Sequence, residues 1–473
     1  HRQMALFELR KAGSDLAFYA RRKKMNTPRK PISRRDFLNL AGLSGAALIL
    51  AGCGASEVLS TATAPVASEP KGPPSSDISA TLTVFDGGGD ADKTINTAAI
   101  KRFNERYPNV KVNDNFTPVT TWGDYANKLV TQVAGGQVPD LLYIAVEGTR
   151  LAVSKNLLLP LDDLIANDQT AKDLLADMSQ STKDMFTVDG KLYQFPTRVD
   201  TMLIYYNTKM FTDAGIEPPK PDWTWDDFLT IAKQLTIKSG SEKIYGFGVP
   251  FFNFGIMPWL LTNGASQLND DWTKSTLDDP KALEAITFLR DLVLEHEVAP
   301  SPITGTEGLD IAQLFSNGKI GMIGGGHWYV PGFQVNNFTD VDVQIWPKKT
   351  VSTTVLGGGG VGIVKESKNV ELAWELAKEM AGAEAVQAVV DSGINVPALL
   401  SAVKSEKFLS FPSNATAFLD SIRISKPVPS PANYNEVEAI FMRHMSEIIS
   451  GSVSPEDGLK AAHEELSSAM EKL

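Results

Sequence analysis

Three carboxylates stand where binding or acid–base chemistry is most easily built: Asp90, Glu147 and Asp200. Asp90 closes the loop Asp86-Gly-Gly-Gly-Asp90, Glu147 follows the apolar run 141–145, and Asp200 lies between the stretches FPTRV and TMLIYYN. Three readings are open. The acids are solvated surface groups. Or they accept hydrogen bonds from the hydroxyls of a neutral polyol, a role suited to carboxylates because charge-assisted bonds are the stronger ones. Or Glu147 and Asp200 form the acid and nucleophile of a glycosidase, which their separation and pKa values would decide. Trp122, Trp259 and Trp328 fall at the ends of predicted elements. There an indole either covers the apolar face of a sugar or plugs a core. Trp225 and Trp374 sit on predicted helices and are expected to be packing.

Other chemistries find little support. Gly357-x-Gly359-x-x-Gly362 has the spacing of a dinucleotide fingerprint, but it precedes a predicted strand, whereas the fingerprint follows a strand and opens a helix. A flexible segment between lobes is the better expectation. Neither a Walker A pattern nor G-x-S-x-G occurs. The histidines at 1, 296, 327, 444 and 463 show no ligand spacing and Cys53 is the single cysteine, so no metal site and no cofactor is expected. His327 beside Trp328 is either a ligand contact or structural.

The elements that must position these residues read as α/β. Residues 81–85 form a strand, a glycine loop follows, Ile95, Ala99, Phe103 and Tyr107 recur every four residues as a helix stopped by Pro108, and 110–116 is a second strand. Strand, glycine loop, helix, strand is the rhythm of a parallel sheet, whose ligands meet the loops at the carboxyl ends of the strands. A helix is predicted over 122–134, ended by Gly135-Gly136, and a strand over 139–145 carries Glu147 to the same edge as Asp90. Beyond the extended stretch around Asp200, Thr224 caps a helix with Asp226 and Asp227 in its first turn. Strands follow near 246–249, 319–323, 341–346 and 361–364, and helices near 279–296, 308–317, 371–380, 435–450 and 455–472.

The chain has 473 residues, enough for two or three domains, and a formal net charge of −11. Residues 1–53 hold eleven Lys or Arg against three acids, so the rest is more acidic than the total. An acidic body argues against non-specific nucleic-acid binding. The stretch SRRDFLNLAGLSGAALILAGC joins a twin arginine (Arg34, Arg35) to an apolar run too short for a membrane span, the layout of an export signal, and Leu50-Ala51-Gly52-Cys53 has the form of a lipobox. Residues 1–53 are therefore expected to be a leader, with Met25 an alternative start and Cys53 lipidated. Residues 54–80, rich in Ser, Thr, Ala and Pro, are expected to tether the body to a membrane.

Several segments in order carry a resemblance: AIKRFNERYPNVKV, KLVTQVAGGQVPDLLYI, DGKLYQFPTRVDTMLIYYNTKMFTDAGIEPP with WTWDDF, AQLFSNGKIGMIGGGHW, and GGGGVGIVKESKNVELAWELAKEMAG. From about residue 80 onward the chain resembles the family 1 extracellular solute-binding proteins of bacterial ABC importers, the maltose-binding-protein-like group. The resemblance implies a two-lobed periplasmic-binding-protein-like fold, each lobe built on a mostly parallel sheet flanked by helices and joined by a hinge. The first lobe is expected over 81–199 plus about 350–393, the second over 200–349 plus about 394–473, with crossings near 199–201, within 346–360 and near 394–397.

It further implies an extracytoplasmic, lipid-anchored, monomeric substrate-binding protein without catalysis. Its partners would be an oligosaccharide or related polyol and the membrane subunits of an ABC permease, with no nucleic acid. Matching positions place Gly89 and Asp90 against sugar hydroxyls and make Glu147 and Asp200 acidic contacts. Trp328 falls at a stacking tryptophan, and the aromatic segment around Trp259 at a lining loop. Tyr434 stands near a position where maltose binders of the family carry tryptophan, and Gly148 where they carry arginine; both departures bear on maltose itself more than on sugars. The alternatives are an anchored glycosidase using Glu147 and Asp200, or the same fold with a phosphorylated polyol or polyamine as cargo, which a basic or an acidic cleft lining respectively would reveal.

Overall fold

The computed structural model describes residues 72–473 except 120, 239–242 and 305–309. Met25, Arg34, Arg35, Cys53 and the tether up to residue 71 lie outside the described residues. Among the described residues thirteen strands follow in chain order: β1 (Ala80–Gly88), β2 (Val110–Pro118), β3 (Leu141–Ala145), β4 (Thr187–Val188), β5 (Lys191–Leu192), β6 (Phe195–Thr201), β7 (Leu203–Asn207), β8 (Tyr245–Gly248), β9 (Ile320–Gly325), β10 (Val341–Gln344), β11 (Val355–Ile363), β12 (Val396–Pro397) and β13 (Lys426–Pro427). They form two main sheets and so two lobes. The larger runs β12-β6-β11-β3-β1-β2, with β13 also on β11, and the smaller runs β10-β7-β9-β8.

The predicted β1, helix, β2 unit is present, with β1 and β2 parallel from Ala80 opposite Val110 to Gly88 opposite Pro118. The glycines after Phe85 do not break β1; parallel pairing with β2 carries it to Gly88, and helix Asp90–Arg106 starts two residues later. The five residues of β3 are all buried, as befits a strand covered on both faces. Both sheets are mixed. β1 pairs in parallel with β2 and β3, but β11 runs antiparallel to β3 and β6 because it returns from the other lobe instead of closing a βαβ unit.

Met202 alone separates β6 from β7, so the chain passes from the first sheet to the second across one residue. It returns between β10 and β11. Val396 and Pro397 still pair with β6, which carries the first sheet past residue 394. The glycine run 357–360, expected to be a flexible connector, is instead the centre of β11, paired with β6 along its length and with β3 from Gly359 onward. Two helices have clear side-chain starts. Thr121 accepts a hydrogen bond from the Asp124 N–H to cap helix Trp122–Ala134, and Thr224 and Asp227 form a reciprocal capping box at helix Trp225–Leu235. Among the described residues no helix is long and apolar enough to cross a membrane.

Candidate ligand-binding cleft

A cavity of about 410 Å³ lies between the lobes, within the range of small-molecule sites. Its first-lobe wall holds Asp92, Trp122, Tyr143, Glu147 and Arg198; its second-lobe wall holds Phe252, Phe254, Trp328, Tyr434 and Glu438; Asp200, Asn395 and the glycines of β11 lie between.

Part of the floor is the glycine stretch Gly357 to Gly359 of β11. A Cβ on Gly359 would sit 1.9 Å from the Tyr143 hydroxyl, and one on Gly357 would sit 2.8 Å from the Phe254 ring. Glycine there lets both rings descend onto β11. Trp122, at the first turn of its helix, meets Tyr125 edge-on at 5.7 Å and Tyr143 at 6.0 Å. Trp328 meets Phe252 at 6.4 Å and Phe254 at 6.3 Å. Both indoles are only half-buried, so each offers a face to the cavity.

The polar part is acidic. Glu147, in the first turn of helix Val146–Ser154, is 9% exposed and its Oε2 has no hydrogen-bond partner among the described residues. Burial pushes its carboxyl up to about 7; its own backbone N–H opposes the rise and Glu438 adds to it. Burial likewise pushes Asp200 up to about 8, against the hydrogen bond from Asn395, the backbone of His327 and the charge of Arg198. Asn395 Nδ2 donates to Asp200 Oδ2, while Oδ1 has no partner. Glu438, raised chiefly by burial, accepts from the Tyr434 hydroxyl at 3.2 Å, which in turn accepts from Asn253 at 3.0 Å.

Among the described residues lining the cavity Arg198 is the one cation; it is ion-paired with Asp92, and its buried Nε has no hydrogen-bond partner. It is 3% exposed, pairs with Asp92 at 2.6 Å, donates to Asn96 at 3.3 Å and lies 4.7 Å from the Tyr143 ring centre. Asn96 also holds the buried Asp86 through both carboxylate oxygens, at 2.9 and 3.1 Å. Burial and the neighbouring Asp114 push Asp86 up to about 7.

Of the residues singled out in the sequence, Glu147, Asp200, Trp328, Tyr434 and Trp122 meet at this cavity. Gly89 and Asp90 do not: both are exposed at the start of helix Asp90–Arg106, and the acid that faces inward is Asp92, which also accepts from the Gly89 N–H at 2.8 Å. Trp259 does not line the cavity either. It is 0% exposed and packs against Trp225, Phe228, Phe247, Phe288 and Trp346, so the lining part of its segment is Phe252 and Phe254.

Tyr434 is buried and hydrogen-bonded instead of presenting a stacking face. His327 is structural: burial lowers it to about 4, so its neutral ring donates from Nδ1 to the Gly393 carbonyl at 2.6 Å and stacks on Phe408. Sequence reasoning passed over Asp92, Arg198, Asn395 and Glu438. Asp92 carried a signal as an acid three residues after the helix cap, and Arg198 as a basic residue inside an apolar strand; Asn395 and Glu438 carried none.

Two contacts join the lobes outside the cavity walls. Asn435 Nδ2 donates to the Gly123 carbonyl at 2.8 Å, and a Cβ on Gly123 would meet Asn435 Oδ1 at 1.9 Å. Arg150 lies 4.5 Å from the Trp272 ring centre, along a groove of about 760 Å³ that shares Glu147 and Tyr434 with the cavity.

Residues 87–387 match the model of the bacterial extracellular solute-binding proteins. The chain belongs to that family. Among curated relatives, the arabinooligosaccharide-binding protein of Halalkalibacterium halodurans is 23% identical over 285 residues, 58% of this chain; the chain spans 61% of that relative's length. Among solved structures, an ABC substrate-binding protein from Listeria monocytogenes in complex with cycloalternan has a TM-score of 0.74 at 27% identity, covering 83% of this chain and 100% of the other. A solute-binding protein from Thermotoga lettingae bound with α-D-tagatose has a TM-score of 0.71 at 26% identity, with coverage of 83% and 100%. Both likenesses agree with the two-lobed α/β fold of the family.

Proposed function

We propose that this protein binds a saccharide or related polyol between its lobes and hands it to an ABC permease, working outside the cytoplasm. The observation that carries the reading is the pairing of half-buried indoles, Trp122 and Trp328, with unpartnered carboxylate oxygens of Glu147 and Asp200 around one inter-lobe cavity. Flat rings suit the apolar faces of sugar rings, and carboxylates accept from their hydroxyls. Relatives named for arabinooligosaccharide binding and the cycloalternan and tagatose complexes support the same class of ligand. Hinge closure of two lobes is the motion such a cleft uses.

Catalysis is not part of the reading. The family and the structural neighbours are solute-binding proteins, which favours binding over hydrolysis. A phosphorylated polyol is disfavoured because the described lining sets four carboxyl groups against one cation, Arg198. Lipid attachment at Cys53 and export through the twin arginine complete the proposal; Cys53→Ser should abolish incorporation of labelled fatty acid. The deciding experiment is calorimetry against a broad panel of mono- and oligosaccharides, with mass spectrometry of any co-purified ligand. Micromolar binding of a sugar supports the reading, and silence across the panel removes it.

A further inference from the structure

We propose that the cavity is built for a basic saccharide, one carrying a protonated amine, in preference to its neutral or acidic counterparts. The inference rests on the saccharide reading above and names the class within it.

The charge balance of the walls drives it. Asp92, Glu147, Asp200 and Glu438 all line the cavity, and Arg198 is the one cation among the described lining residues. Arg198 is matched by Asp92 at 2.6 Å. Glu147, Asp200 and Glu438 therefore have no ion pair of their own among the described residues, though the charge of Arg198 also reaches Asp200. They are not surface acids: Glu147 is 9% exposed with Oε2 bare, and Asp200 Oδ1 is bare as well. Glu438 has only the Tyr434 hydroxyl, a neutral donor.

Lobe closure removes the water that would otherwise solvate these groups, and a buried carboxylate without a donor or a countercharge is costly. A sugar hydroxyl supplies a donor but no charge. An ammonium supplies three donors and the missing positive charge at once. The half-exposed indoles of Trp122 and Trp328 add faces that attract a cation. A uronate or sugar phosphate would meet four carboxyl groups and, among the described lining residues, one guanidinium, itself ion-paired with Asp92. Burial raises Glu147 and Asp200 to about 7 and about 8, as expected of acids in a site whose countercharge arrives with the ligand.

Matched sets test the proposal: cellobiose, the β-1,4-linked glucosamine disaccharide and its N-acetylated form, with glucose, galactose and mannose beside their 2-amino and 2-acetamido analogues. Calorimetry on the full chain at pH 7 and low salt should show the amine binding about tenfold or more tighter than the hydroxyl and the acetamide in whichever set binds. The preference should shrink to about threefold or less in Glu147→Gln or Glu438→Gln, each first checked for an unchanged melting profile at pH 5. Spermidine serves as a cation without a sugar ring. A hydroxyl or acetamide form that binds as tightly as the amine overturns the proposal and leaves the saccharide reading standing. Silence from every sugar, or spermidine binding more tightly than all of them, overturns both.

Discussion

Replacing Glu147 with glutamine should stabilise the unliganded protein above neutral pH and leave it nearly unchanged in mild acid. Burial lifts the Glu147 carboxyl from its ordinary 4.5 to about 7. Between those values the native state holds a proton that the unfolded chain has released. The stability tied to that proton is complete below about pH 4.5 and is lost as pH rises through about 7. A rise of about 2.5 pH units at ~1.36 kcal/mol each gives a loss of up to ~3 kcal/mol at pH 8. Glutamine keeps the shape and has no charge to bury, so it avoids the loss.

With about 2.1 cal/mol/K per residue over roughly 400 ordered residues, ~3 kcal/mol corresponds to a Tm difference of ~4 °C. Glu438 and Tyr434 face Glu147 from helix Tyr434–Ile449, and Arg150 shares its own helix, with its guanidinium over Trp272. Glu438 pushes in the same direction as burial, so Glu147→Gln should also ease Glu438. Differential scanning calorimetry of both proteins at pH 5 and pH 8 is the assay. Equal Tm differences at the two pH values, or a variant less stable at pH 8, would refute the reasoning.

Trp328→Ala should weaken the ligand found by calorimetry by ~1–2 kcal/mol, or roughly 5- to 30-fold, with Tm of the free protein little changed; full retention of affinity would remove the stacking role. Gly123→Val should wedge the lobes apart, because even a Cβ there meets Asn435 Oδ1 at 1.9 Å. Scattering of the ligand-saturated variant should give a larger radius of gyration than wild type, reversed by adding Asn435→Ala, and an unchanged radius would count against the contact. Gly359→Ala should lower stability by ~1–3 kcal/mol in urea unfolding, since its Cβ falls 1.9 Å from the Tyr143 hydroxyl; a neutral result would mean that β11 yields more easily than its two-sided pairing implies.

Local signals were legible where a residue's own neighbours decide its structure. Thr224 followed by Asp227 announces a helix start, and the apolar run of β3 announces a strand buried on both faces. The site was legible only in part, because a cleft is closed by partners distant in sequence. Nothing near Glu438 says that helix Tyr434–Ile449 will face Glu147. Asp90 and Asp92 are distinguished by helix phase: the first points to solvent and the second turns inward to Arg198. Trp259 was misjudged because its helix, Asn253–Thr262, is buried on nearly every side, so aromatic richness there marks a core as well as a lining. The glycines of β11 looked like a linker since the reason for them, two rings pressing from the strand's faces, comes from residues 143 and 254.

The pairing of β11 with β3 and β6 also bears on the order in which the chain can fold. β7, β8, β9 and β10 all fall within residues 203–344, whereas the larger sheet needs β11 and β12, the latter ending at Pro397. During vectorial synthesis the smaller sheet can close while β3 and β6 still lack the strand between them. Closing the large loop from β3 to β11 also costs chain entropy before any pairing returns it. The sheet that begins first is therefore the one completed last, while helices Tyr434–Ile449 and Pro455–Met470 complete the second lobe only at the end of the chain. Pulse-labelled hydrogen exchange during refolding should protect amides of β7 and β9 before those of β3 and β11; the opposite order would show that the first lobe nucleates without its central strand.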